Sequence, residues 1–437
     1  MRAMVRALAV ALGFGVVAAL AADAGAAELR AGVARVDLTP PLEFGCPLGG
    51  YGERMSRPAE GVHDRIFAKA LVLVQGDRKF ALVTADMLGF PPTLKGELLE
   101  RLAGDWSADQ LMLLASHSHT SIEMNALNPL NTFQIPQIGL YNARTHKFVV
   151  DRLVELVRAA EKEPVAVKVG TSTHAIAGWN RNRRGNSTTD NDLTITRVDT
   201  AEGKPLAVLV NFTAHPTFMS GEDMQFSAGW PGHLQRTLES LIGDGVTAMY
   251  YNGAEGDQSP VGRPDAGDSH WERAERYGRD LGIVAWKQWQ ETKTAADVPL
   301  AYHAYTIELP ERTWHPDFMA TGGKEYGLSE DLFRKMLPAL FPDQAEIVSL
   351  RLGDLLMVGI PGEMAASLGQ QIKTTLAKNT GAQNPVIGGL ADQWISYMLP
   401  ADEYRKGGYE SSVSFYGETL GPTIVEGAIA GASALGK

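Results

Sequence analysis

The stretch LMLLASHSHT, residues 111–120, decides the fold class of this 437-residue chain. An apolar run that ends in small polar residues predicts a buried strand followed by a loop. His117 and His119 lie at the end of that strand, and residues two apart in an extended segment project to the same side. Both imidazoles can therefore face one point, as metal ligands do. Two hydrogen-bonded loop histidines would explain a lone His-x-His equally well, so other segments must decide.

The same pattern recurs four times downstream. Apolar runs that predict buried strands span residues 206–212, 247–251, 355–360 and 385–390. The polar loops after them offer, in chain order, His215, Asp257 with Ser259, Glu363, and Tyr397. Ligands of α/β sheets bind beyond the carboxyl ends of the strands. We therefore predict an α/β fold of mixed central β-sheets flanked by helices, with a metal site at the carboxyl ends of strands.

Further segments complete the predicted framework. Residues 66–75 and 79–85 alternate as a β-hairpin around Gly76-Asp77. Apolar residues at helical spacing predict a surface helix over residues 145–162. Additional predicted strands span 29–38 and 165–172, and additional predicted helices span 92–102, 271–293 and 363–377. The polar segment 180–191 contains three arginines and, taken alone, predicts a solvated surface loop.

The side chains at the strand ends suit zinc. Imidazole and carboxylate are common zinc ligands, and a catalytic site leaves one position open for water. The only cysteine, Cys46, is interpreted as a small buried apolar residue, so no thiolate ligand indicates a structural site. A nucleophilic Ser259 is the alternative, but Pro260 follows it directly, unlike the Gly-x-Ser-x-Gly elbow. A backbone or substrate-positioning role is favoured for Ser259.

Composition excludes several classes of function. Forty Lys and Arg against 51 Asp and Glu give a net charge of −11, which disfavours nucleic acid and anionic lipid as partners. A neutral or zwitterionic substrate is compatible with this charge, and the sequence does not indicate an oligomeric state.

Residues 1–27 have the layout of a secretory signal peptide, and their apolar part is too short for a retained membrane span. We expect a secreted or periplasmic protein with one hydrolase domain over residues 28–437.

Short motifs in a fixed order carry a resemblance to a known family. They are AGVARVDLTP (31–40), GVHD (61–64), SHSHT (116–120), HPT (215–217), GDQSP (256–260), PGE (361–363), SY (396–397), DEY (402–404) and YE (409–410). In this order and spacing the chain resembles the neutral, non-lysosomal ceramidases. These are zinc amidohydrolases that cleave the amide of ceramide to sphingosine and a fatty acid.

The resemblance implies a role for individual residues. By position, the implied zinc ligands are His117, His215, Glu363 and Tyr397. His119 would contact the zinc water or the substrate and assist proton transfer to the leaving amine. Tyr409, twelve residues after Tyr397, and an arginine would stabilise the oxyanion. Arg183, which follows Asn182, is the closest counterpart of the family's arginine, and Arg181 after Asn180 is the alternative.

Some positions depart from the family pattern. Residues 121–124 read SIEM where the family has a Gly-Pro-Gly-Gly run, and residues 227–230 read SAGW where it has a serine-aspartate stretch. The family's carboxyl-terminal immunoglobulin-like domain is not expected in this chain. Our leading hypothesis is a zinc-dependent amidohydrolase in which Zn-bound water attacks the N-acyl amide of ceramide or a related lipid. The alternatives are a zinc hydrolase of another amide or ester, and a non-catalytic envelope binding protein with a relict site.

Overall fold

A computed structural model describes residues 27–186, 188–264, 267 and 269–436. The strands are β1 (Arg30–Asp37), β2 (Gly61–Val62), β3 (Phe67–Gln75), β4 (Arg78–Ala85), β5 (Leu111–Ala115), β6 (Val165–Ala175), β7 (Asn180–Asn182), β8 (Asp192–Thr200), β9 (Pro205–Asn211), β10 (Gln225–Phe226), β11 (Thr247–Tyr251), β12 (Gln258–Pro260), β13 (Leu300–Glu308), β14 (Gln344–Leu352), β15 (Leu355–Gly359), β16 (Glu363–Met364), β17 (Asn384–Gly388) and β18 (Tyr397–Met398). Residues 1–26 of the predicted signal peptide lie outside the described residues.

Ten α-helices accompany these strands in the described part of the chain. They are α1 (Leu94–Arg101), α2 (Ala143–Glu161), α3 (Gly229–Ile242), α4 (His270–Glu291), α5 (Gly322–Glu325), α6 (Glu330–Leu340), α7 (Ala366–Thr380), α8 (Ala401–Arg405), α9 (Tyr409–Ser412) and α10 (Leu420–Ser433). Over the residues described, none of the helices combines the length and the hydropathy needed to cross a bilayer.

Two mixed sheets form the centre of the fold. The larger has the order β11-β9-β8-β6-β1-β3-β4-β5, and the smaller has the order β13-β14-β15-β17. Most neighbours are antiparallel, but β4 with β5, β9 with β11, and β15 with β17 are parallel pairs. These results confirm the predicted class of mixed sheets flanked by helices. All five apolar runs that precede the candidate site residues are strands.

Alternating side chains on the strands create separate cores on the two faces of each sheet. In β3, Leu71 faces the core between the two sheets, where it joins Met357 of β15, whereas Val72 packs with Leu153 of α2 on the other face. Helices α3 and α4 cover the rest of the large sheet, and α6, α7 and α10 cover the small one. The fold is therefore a four-layer arrangement of helices, sheet, sheet and helices.

The carboxyl ends of strands from both sheets are tied together. Asn211, the last residue of β9, donates through Nδ2 to the carbonyl oxygens of Tyr251, Asn252 and Ile387, which belong to the ends of β11 and β17. The backbone N–H of Leu113 in β5 donates to Asp392, in the segment after β17, at 2.8 Å. Together with the parallel pairing of β15 and β17, these contacts bring the loops after five strands to one place.

Some strands were not predicted. β8, β13 and β14 carry polar and charged residues among their apolar ones, so their hydrophobic alternation is weak. Residues 180–191, which taken alone predict a solvated loop and by the resemblance contribute an arginine to the site, include β7, which pairs antiparallel with β12. That pairing carries the following residue, Arg183, into the interior.

Candidate metal centre and active site

His117 follows β5 in a left-handed conformation, with φ +66°. Its backbone N–H donates to the carbonyl of Met87, and its Nδ1 lies 2.6 Å from the carbonyl oxygen of Leu88. Because a carbonyl can only accept, Nδ1 carries the proton and Nε2 is left as an acceptor. The segment is thus not extended at His117, contrary to the reason behind the prediction. The imidazoles of His117 and His119 nevertheless lie with ring centroids 4.8 Å apart.

His215 is oriented in the same way by a different loop. Its Nδ1 lies 2.8 Å from the carbonyl oxygen of Glu255 and 3.1 Å from that of Gln258, so Nδ1 is again the protonated nitrogen. The ring is fully buried, and burial lowers the pKa of His215 to about 4. A neutral ring with a free Nε2 is the form that binds a metal.

Glu363 meets both histidines. Its Oε1 accepts a hydrogen bond from Trp394 Nε1 at 2.8 Å, and its Oε2 lies 3.0 Å from Nε2 of His215 and 3.5 Å from Nε2 of His117. Nε2 of His117, Nε2 of His215 and Oε2 of Glu363 are thus three acceptor atoms that converge, an arrangement that a bound cation satisfies.

Glu255 is a fourth member of this cluster and was missed by the sequence reasoning. The ligand atoms of His117, His215, Glu255 and Glu363 all lie within 4.8 Å of one another, and His119 forms a second such group with the two other histidines. Burial, with the charge of Glu363, raises the pKa of Glu255 well above its usual value. This buried group could hold a metal ion.

Asp257, which the sequence also offered to the site, is turned away from it. Its carboxylate accepts hydrogen bonds from Asn182, Gln258 and the backbone of Ala366, at 2.7, 2.8 and 2.9 Å. Ser259 lies in β12 opposite Arg181, and it does not line the cavity described below. Its predicted role is not tested by this placement. The loop contributes Glu255 and two backbone carbonyls to the cluster.

Tyr397 stands beside Glu363 through the parallel pairing of β16 and β18. Its hydroxyl oxygen accepts from Nη2 of Arg183 at 3.1 Å, and Arg183 Nε donates to Glu410 at 2.7 Å. Burial raises the pKa of Tyr397 well above its usual value. The structure places Arg183 in this network and leaves Arg181 exposed.

Tyr409 lies on the cavity side of the same network. Its ring centroid is 5.8 Å from that of Tyr397, and the guanidinium carbon of Arg183 lies 5.8 Å from its centre. Tyr409 is 53% exposed as a whole residue. Glu410, the next residue, is held by Arg183 and Arg184 together at 2.7 Å each. Glu410 and Arg184 were not predicted to act at the site.

A cavity opens from this cluster, with an empty volume of about 1080 Å³ that includes some open solvent. His117, His119, Glu363, Tyr397 and Tyr409 line one part of it. The remaining wall is mostly apolar and aromatic, and it includes Phe318, Leu328, Phe333, Met336, Leu340, Phe341 and Phe415. Glu123, within the segment that departs from the family pattern, also lines the cavity, and burial raises its pKa to about 7.

The fold and the site together define an α/β protein with a buried histidine and carboxylate group, able to hold a metal ion, beside an apolar cavity. The family model for the neutral/alkaline non-lysosomal ceramidase N-terminal region matches residues 29–262 and 333–424. The chain therefore belongs to the neutral/alkaline non-lysosomal ceramidase family. This confirms the resemblance seen in the sequence.

Two relatives and two solved structures are similar to this chain over most of its length. The neutral ceramidase of Mycobacterium tuberculosis is 23% identical, over 85% of this chain and 72% of that protein. Neutral ceramidase B of Dictyostelium discoideum is 19% identical, over 87% of this chain and 68% of that protein. The crystal structure of neutral ceramidase from Pseudomonas aeruginosa has a TM-score of 0.79 at 18% identity, and a ceramidase complexed with C2 has 0.78 at 18%. Both structural alignments cover 94% of this chain. They cover 74% of the Pseudomonas aeruginosa chain and 75% of the chain complexed with C2.

Proposed function

We propose that the protein is a zinc-dependent amidohydrolase that cleaves the N-acyl amide bond of ceramide or a related N-acyl lipid. The observation that carries this proposal is the convergence of His117, His215 and Glu363 at one end of a largely apolar cavity. Two imidazoles and a carboxylate are a common ligand set of catalytic zinc. Family membership supports the amide bond as the target, and the apolar wall suits an acyl chain.

Different residues of the chain would bind the metal, transfer the proton and stabilise the developing charge. His117, His215, Glu363 and Tyr397 would hold the zinc. When bound, zinc would polarise the amide carbonyl and lower the pKa of a coordinated water to about 7.

Proton transfer is assigned to His119. Burial, with the neighbouring histidines, lowers its pKa well below the usual value, so the ring is neutral and can accept a proton. Neither ring nitrogen has a hydrogen-bond partner among the described residues, so both stay available to water and substrate. His119 would take a proton from the attacking water and deliver it to the amide nitrogen as the C–N bond breaks.

Charge on the carbonyl oxygen would be stabilised by Arg183 and Tyr409. The guanidinium of Arg183 is fixed by Glu410 and lies next to both tyrosine rings. A protonated phenol and a fixed positive charge are effective donors to an oxygen that becomes negative only in the transition state. Tyr409 lines the cavity and can reach a bound carbonyl from there.

The test combines metal analysis with a substrate panel. Purified protein should contain about one zinc per chain and hydrolyse N-acylsphingosine. His117→Ala and Glu363→Ala should lose both the zinc and the activity, whereas His174→Ala, which changes an exposed histidine, should keep both. Stoichiometric zinc in His117→Ala and Glu363→Ala would contradict the ligand assignment.

A different amide or ester substrate is the second candidate, and Glu123 favours it. A partly buried carboxyl in the cavity wall can bind a polar headgroup that ceramide lacks. Short N-acyl amides and esters tested beside N-acylsphingosine would separate the two. Zinc-loaded protein that is inert on every one of them would favour the non-catalytic alternative.

A further inference from the structure

Glu255 lies on the side of the metal cluster that faces away from the cavity. His117, His119 and Glu363 line the cavity, whereas Glu255 and His215 do not. The side chain of Glu255 has no exposed surface. A substrate entering from the cavity therefore meets the opposite side of the cluster, and Glu255 cannot act on it directly as an acid or a base.

The carboxylate of Glu255 has no partner that explains its burial. Neither oxygen makes a hydrogen bond to another residue in the described part of the chain. The positive charge of Arg183 lowers the pKa of Glu255, but it is not a hydrogen-bond partner of Glu255. The guanidinium of Arg183 donates to Glu410, Tyr397 and the carbonyl of Gly256 instead. A buried carboxylate is costly unless it is paired or binds a metal.

The surroundings hold this carboxylate in place. A Cβ atom added at Gly389 would lie 2.9 Å from Oε2 of Glu255 and 2.1 Å from the carbonyl oxygen of Gly253. The backbone at the end of β17 therefore packs directly against the carboxyl group. The backbone carbonyl of Glu255 orients His215, so one residue fixes a ligand and also points its own oxygens at the cluster.

We propose that Glu255 is itself a metal ligand, which adds a second carboxylate to the centre of His117, His215, Glu363 and Tyr397. This proposal rests on the metal dependence in the proposed function. Two carboxylates would neutralise the charge of a divalent ion, and a ligand from the interior would leave the cavity side open to substrate. Glu255 would bind in addition to Glu363 and opposite the opening.

Zinc affinity of Glu255→Gln tests this proposal. The change keeps the size of the side chain and removes its negative charge. Residues that only orient a ligand typically change metal affinity by about 10–100-fold when mutated, so loss of a true ligand should weaken zinc binding by more than about 100-fold. Affinity is measured by competition with a chelating dye. Asp86→Asn is the matched control, because it removes the charge of another buried carboxyl, outside the metal cluster, and should leave zinc affinity unchanged.

A second measurement keeps the test independent of folding defects. Cobalt(II) added in place of zinc should give a visible absorption spectrum that differs between the wild type and Glu255→Gln, since this spectrum reports the ligand set. Circular dichroism of the metal-free proteins shows whether the variant is folded. An affinity within 100-fold of the wild type, or an unchanged cobalt spectrum in the folded variant, would overturn the assignment of Glu255. Wild-type protein that binds no divalent ion would instead overturn the proposed function.

Discussion

Replacing Glu410 by glutamine should destabilise the protein and disable the site without removing the metal. Glu410 accepts from Arg183 Nε through one oxygen and from Arg184 Nη1 through the other, both at 2.7 Å, and its side chain is 6% exposed. A glutamine has one acceptor oxygen, so its NH₂ group must face one of the two guanidiniums, donor against donor. At least one buried arginine then loses its partner.

The expected cost follows from this geometry. Removing one partner of a buried ion pair typically costs about 3–5 kcal/mol. Because the Arg183 side chain is 21% exposed and can recover some hydration, we expect a loss near the lower end, about 3 kcal/mol. Arg183 would also lose its fixed orientation toward Tyr397, and a displacement of about 1 Å at a catalytic group can lower kcat/KM by about 100-fold.

Urea unfolding of the two proteins measures the first effect, and initial rates on an N-acyl substrate measure the second. Glu418→Gln is the matched control, since Glu418 pairs with Arg405 on the surface at 44% and 61% exposure. An exposed ion pair contributes about 0–1 kcal/mol, so the control variant should have nearly the same free energy of unfolding as the wild type. A Glu410→Gln protein as stable as the control would refute the view that Glu410 anchors both arginines.

Three further outcomes are expected. Trp394→Phe removes the donor to Oε1 of Glu363 and should weaken zinc binding by about 10–100-fold in chelator competition, whereas Trp179→Phe should not. Met357→Ala opens a cavity between the two sheets and should lower the free energy of unfolding by about 2–5 kcal/mol, with the exposed Leu130→Ala as a near-neutral control. Burial, with the charge of Arg236, lowers the pKa of His233 to about 4. The unfolded chain therefore binds the extra proton first, and stability should fall as the pH drops from about 6.5 toward 4, less steeply in His233→Gln.

Strand positions were predictable because buried strands are continuous apolar runs. The run at 247–251 coincides with β11 to the residue, and β5 occupies the apolar beginning of the stretch 111–120. β13 could not be found in this way, because most of its residues are exposed or only partly buried and its sequence alternates weakly. The division of the strands between two sheets was also not predictable, since it depends on pairings between distant segments such as β13 with β14.

The direction of a loop side chain depends on partners that the local sequence does not contain. Residues 255 and 257 both carry carboxylates in one loop, and only the second was considered for the site. Asp257 is drawn away by Asn182 and Ala366, which lie 75 and 109 residues distant in the chain. Glu255 is left to face the histidines. A carboxylate placed between small residues after a buried strand was the available signal for Glu255.

The site depends on the ends of two sheets keeping a fixed separation. His117 is held by carbonyls at the end of the large sheet, whereas Glu363 is positioned by β16 and by Trp394 after the small sheet. A metal ligand set tolerates errors of only about 0.2 Å, so sliding of one sheet over the other would separate these ligands. Asn211 opposes such sliding, because its single amide group binds carbonyls at the ends of β11 and β17 together. A buried polar network fixes a unique register in a way that the apolar packing between the sheets does not, since apolar contacts are non-directional.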